Sequence, residues 1–154
     1  MTTRKLAAAL LLPFGLLITA PAQATAPAKA VEIKGEVIDT WCFFSGVMGG
    51  EDAVVGSAHH TCALWCAAGG IPVGVRTDEG DVYMILKYEG QDVLERNDTV
   101  MEVQSDIITA RGMHYVRDGV NYLVVEKVVA NDGIQVLNHL DYGSVPPNSF
   151  PLDE

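Results

Sequence analysis

From Val31 onward, hydrophobic and polar residues alternate with the two-residue period of β-strands. In VEIKGEVID (31–39), Val31, Ile33, Val37 and Asp39 interleave with charged or small residues. IPVGVRT (71–77) and DVYMILKY (81–88) flank Asp78-Glu79-Gly80, a short polar connection that suits a hairpin. TVMEVQSDIITARGMHYV (99–116) reads as one long β-branched strand with a bulge or bend at Gly112. VNYLVVEKVVA (120–130) follows Asp118-Gly119, a dipeptide favoured in type I′ turns. About five strands, with one long excursion between the first and second, predict a mainly β fold. The expected architecture is a small five-stranded OB-like barrel, with a β-sandwich as the alternative.

The excursion breaks the strand pattern. AHHTCALWCAA (58–68) contains no proline or glycine and several good helix formers. Ser57 stands where an N-cap belongs, Gly69-Gly70 where a C-cap belongs, and Pro72 lies just beyond. One short helix over Ala58–Ala68, inserted between strands 1 and 2, is therefore predicted. On it His59, Cys62 and Cys66 fall at i, i+3 and i+7, in one row along one face. His60 and Trp65 point elsewhere. Cys42 sits at the end of the first strand, and Met48 lies on the intervening loop beside Gly46, Gly49, Gly50 and Gly56.

The chain ends carry different signals. Arg4 and Lys5 precede an apolar run from Leu6 to Ala20, followed by Ala22-Gln23-Ala24, a small-x-small cleavage pattern. Residues 1–24 are expected to be a general secretory signal, giving a periplasmic or secreted protein with no membrane anchor after cleavage. Residues 25–30 read as a disordered lead, 31–140 as the β domain and 141–154 as a loop-rich tail. Loss of Arg4 and Lys5 leaves eight basic against twenty acidic residues, a net charge of −12. That charge disfavours nucleic acid as a partner.

Cys42, Cys62, Cys66 and His59 together form a Cys3His-type candidate metal site, with His60, Met48 and His114 as secondary candidates. Thiolate and imidazole are ligands shared by zinc, copper and iron, and soft sulfur donors favour monovalent copper. Copper is therefore the favoured cofactor; zinc, an iron–sulfur cluster or non-covalent haem on His59, His60 or His114 stay open, while the covalent C-x-x-C-H haem pattern is absent. In an oxidising compartment the same cysteines allow one disulfide and a spare thiol, or a redox-active pair. No nucleophile elbow, phosphate loop or paired-carboxylate pattern appears, so a binding or electron-transfer module is expected rather than an enzyme. The natural partner of such a module is a periplasmic redox enzyme or a metal-receiving protein.

GEVIDTWC and HHTCALWCAAGGIPVGV resemble a recurrent pattern of small exported bacterial proteins, G-x-V-x-D-x-x-C followed by a histidine and C-x-x-x-C-x-x-G-G-x-P-V-G. The likeness covers about Gly35 to Val75. It implies an OB-like β domain in which Cys42, Cys62 and Cys66 act together, and it implies no particular activity.

Overall fold

Strand β1 (Lys29–Asp39) is the spine on which the rest of the chain is assembled in this computed structural model, which describes residues 27–89, 91–92 and 98–142. It pairs antiparallel with β2 (Val73–Arg76) at its C-terminal end and with β5 (Ile107–Arg117) along the rest. β2 pairs with β3 (Val82–Tyr88), β3 runs parallel to β6 (Val120–Asn131), and β6 pairs antiparallel with β5. The circuit β1-β2-β3-β6-β5-β1 closes a five-stranded barrel, and the two-residue β4 (Gln91–Asp92) extends β3 outside it. The mainly β, OB-like barrel read from the strand pattern is the architecture observed. Residues 1–24, the expected signal, and 143–154 of the expected tail lie outside the described residues.

Alternation along the strands fills the barrel. Ile33, Val37, Val73, Val75, Ile85, Ile108, Ala110, Leu123 and Val125 form one buried cluster. Gly112 sits at a register shift of the β5–β6 pair, and a Cβ there would lie 2.0 Å from the Val124 carbonyl oxygen. The bulge therefore requires glycine, and it lets the long β5–β6 ribbon coil around the core. Asp118 and Gly119 both have positive φ, 52° and 81°, as a type I′ turn demands.

Three features depart from the sequence pattern. The run 99–116 is not one strand. Asp98–Met101 forms a helical turn, α3, and Ser105 adopts φ 64°, a left-handed kink before β5 begins. Val100 and Val103, three apart, join the core cluster, so burial decides the local conformation over β-propensity. β1 also begins at Lys29, so Lys29 and Ala30 of the expected disordered lead pair with His114 and Met113. The excursion holds more than one helix: α1 (Thr40–Ser45), a 3-10 turn at Glu51–Ala53, and α2 (Gly56–Ala68). α2 packs against β1, α3 and a second 3-10 turn at Asn138–Tyr142.

Candidate metal centre

Asp39 ends β1 and starts α1. Its Oδ1 accepts hydrogen bonds from the backbone N–H of Trp41 at 2.8 Å and of Cys42 at 3.3 Å, the bonding of an acidic N-cap. Four residues after Cys42, Gly46 takes a left-handed conformation and donates its N–H to the Cys42 carbonyl. Both backbone polar groups of Cys42 are thus fixed, and its side chain is buried. Thr40 donates its N–H and its hydroxyl to the Pro72 carbonyl, which ties α1 to the chain leaving α2.

α2 is fixed at both ends as well. Its C-terminus is a Schellman motif: Ile71 N–H donates to the Cys66 carbonyl, Gly70 N–H to that of Ala67, and Gly70 has φ 86°. The Gly-Gly signal in the sequence was therefore a true stop. The N-cap differs from expectation. The helix begins at Gly56 and Val55 occupies the cap position without a side-chain bond. The cap comes from a remote residue instead: Asn138 Oδ1 accepts from Ala58 N–H at 2.9 Å, while Asn138 Nδ2 donates to the Val55 carbonyl. Gly56 N–H is bound by the buried Glu36 carboxylate on β1. At φ 64° a Cβ on Gly56 would lie 2.5 Å from the Val136 carbonyl oxygen, so only glycine fits this junction.

With its ends held, α2 buries Gly56, His59, Ala63 and Ala67. At about 100° per residue, Cys62 and Cys66 fall on one flank of that stripe and His60 on the other. The Sγ atoms of Cys42, Cys62 and Cys66 all lie within 4.8 Å of one another. All three cysteines are free, Cys42 buried and the other two half-buried. His59 is 2% exposed and joins Asp39 and Cys42, whose ligand atoms again lie mutually within 4.8 Å. The predicted Cys3His set is therefore two overlapping trios that share Cys42.

The secondary candidates are placed elsewhere. His60 donates Nδ1–H to the Gln104 carbonyl at 2.9 Å, on the α3 side of the helix. His114 pairs with Lys29, ten residues from Asp39 along β1 and at the opposite end of that strand. There its Nε2–H donates to Asn121 Oδ1 and its ring meets Tyr83 edge-on. Met48 is half exposed on the turn after α1. Sequence reasoning missed Asp39 as a site residue. Its signal was present: an Asp three residues before Cys42, where the strand pattern stops and a helix starts, is an N-cap whose second oxygen stays free.

Electrostatics at the cluster are tightly linked. Burial pushes the Cys66 thiol up to about 12, helped by the Asp39 carboxylate and the Cys62 sulfur beside it. Burial raises the Cys42 thiol further still, again with Asp39 contributing. For Asp39 burial alone would raise the carboxyl, but the thiols of Cys66 and Cys42 and the N–H groups of Cys42 and Trp41 outweigh it and hold the group below its usual range. Even so, Asp39 Oδ2 has no aligned hydrogen-bond donor. The Asp39 carboxylate thus faces two thiols, Cys42 and Cys66, that hold their protons strongly. The same two helices carry exposed aromatic rings: Trp41 and Phe44 on α1 and Trp65 on α2.

Fold and site together define the class, an OB-like β-barrel with a cysteine-rich group of potential metal ligands on helices inserted between its first two strands. Comparison with known proteins gives no match to a family model, a curated protein or a solved structure.

Proposed function

We propose that the chain is an exported metal-binding protein that holds a thiophilic ion, monovalent copper above others, on Cys42, Cys62 and Cys66. The observation that carries this reading is the convergence of three free sulfurs from two separate elements, α1 and α2. A structural disulfide needs two sulfurs and has no use for the third, nor for a carboxylate and an imidazole beside it. Three soft donors suit monovalent copper, which accepts a purely sulfur environment. The raised Cys42 and Cys66 thiols make these two poor choices for the attacking thiolate of a thiol–disulfide catalyst. A bound metal would supply a cation that displaces the thiol protons.

The role we assign is carrier, chaperone or electron-transfer accessory. The exposed Trp41, Phe44 and Trp65 rings lie on the same two helices as the three cysteines and support docking of a metal-receiving or redox partner. The signal pattern at residues 4–24 supports export. The test is metal analysis of protein isolated from the exporting compartment, with a thiol count on the same sample. The expected result is bound copper and three thiols that react only after the metal is removed. Metal-free protein with one disulfide and a single thiol would overturn the reading.

A further inference from the structure

Asp39 and His59 are among the most deeply buried polar side chains described, at 1% and 2% exposure, and the three-sulfur site leaves both unused. Asp39 Oδ2 and His59 Nε2 face each other at 3.7 Å, and neither has a hydrogen-bond partner. That separation is too long for a hydrogen bond but suits two ligand atoms on one ion. Buried polar atoms without partners are rare and costly, and a missing ion is one of the standard causes. An imidazolium–carboxylate pair at this distance would still leave both hydrogen-bonding positions unmet.

We infer that Asp39, His59 and Cys42 form a second metal position beside the three-sulfur one, with the Cys42 sulfur bridging two ions. The inference rests on the thiolate site proposed above. Two geometric facts favour two positions over one larger site. The five donors fall into two trios, each mutually within 4.8 Å, that share only Cys42. The trios also differ in chemistry: one is all sulfur, the other offers oxygen, nitrogen and sulfur, the mixed set that zinc-like divalent ions accept. Charge points the same way. Three thiolates and one carboxylate carry four negative charges into a partly buried corner. A monovalent ion on the sulfurs and a divalent one on the mixed trio offset three of them, whereas a monovalent ion alone offsets one and leaves a strongly negative, partly buried centre.

The experiment uses reduced wild-type protein titrated with isotopically enriched Cd²⁺ and followed by cadmium NMR, beside Asp39→Asn and His59→Gln. Circular dichroism and thermal unfolding of each metal-free variant establish its fold. The wild type is expected to give two cadmium resonances, one in the all-sulfur region and one shifted by oxygen and nitrogen ligation, with coupling through the shared sulfur. Either variant is expected to lose the second resonance and keep the first. One resonance in the wild type, whether or not the variants move it, overturns the second position while leaving the sulfur site standing. Two resonances that both persist in folded variants overturn the assignment to Asp39 and His59. If a variant does not fold, the wild-type count and coupling decide. No bound cadmium at all removes the sulfur site itself.

Discussion

Cys42 is the residue on which both ligand trios turn, and its surroundings set its chemistry. Its sulfur lies beside the Asp39 carboxylate and two other sulfurs, so the thiol holds its proton strongly until a cation arrives. Cys66, pushed up to about 12, behaves alike. Apparent metal affinity should therefore rise with pH across the neutral range, by roughly tenfold per pH unit for each thiol proton displaced. Competition with a chelator of known affinity at several pH values measures the slope; a flat profile would mean the thiols are not ligands. Cys42→Ser exchanges a soft sulfur for a hard, protonated oxygen and should lower monovalent copper affinity steeply, by a hundredfold or more on the order expected for a lost ligand. Mixed disulfides with other proteins, trapped by the same variant on non-reducing gels, would point instead to a redox pair. Glu36 gives a separate pH effect. Burial raises its carboxyl above 4.5, outweighing the Gly56 N–H and the Arg76 charge. A raised folded value means that its contribution to stability is present below the ordinary carboxyl range and is lost as pH rises through the raised value. Glu36→Gln keeps an acceptor for Gly56 N–H and should remove that decline, as melting temperature against pH for both proteins would show.

At the scale of elements, the two helices are positioned by caps, and only some of those were legible in the sequence. The α2 stop at Gly69-Gly70 could be read because a Schellman motif is local, built within six residues. Its start could not, because the acceptor that caps it is Asn138, 80 residues further on. Ser57 looked like the cap and instead pairs with His139 and Asn138 through its hydroxyl. Asn138→Ala should cost about 1 kcal/mol of folding stability, the usual worth of an N-cap. It should also weaken metal binding, since the first turn of α2 carries His59; unchanged denaturant midpoint and affinity would show that the cap is dispensable. The row of His59, Cys62 and Cys66 followed from helical spacing alone, and the structure keeps that row. What spacing did not reveal is that His59 lies deeper, against Asp39, than the two cysteines. His59→Ala should reduce metal retention more than His60→Ala, because His60 is held by the Gln104 carbonyl on the other flank. Equal losses in dialysed, metal-loaded protein would contradict that geometry.

Across the whole molecule, the barrel was legible because each of its five strands carries a two-residue period or a turn dipeptide at its end. Asp118-Gly119 and Gly112 are where backbone geometry leaves no choice, and both were readable. The break at Ser105 was not, since Thr99 to Val116 is rich in β-branched residues and only burial of Val100 and Val103 in the core explains the helical turn there. The site likewise depends on assembly: Asp39 and Cys42 reach the sulfurs of α2 only because Thr40 anchors on Pro72 and Glu36 anchors Gly56. A metal bound there ties together β1, α1 and α2 and should raise the melting temperature, since a ligand at a hundred times its Kd adds about 2.7 kcal/mol to stability. The most direct measurement of the central claim is X-ray absorption at the edge of the bound metal, on protein isolated with its metal in place. The account predicts three sulfur scatterers in the first shell, at about 2.3 Å if the ion is zinc, falling to two in Cys42→Ser. A first shell of oxygen and nitrogen only, or a sulfur count unchanged by that substitution, would contradict it.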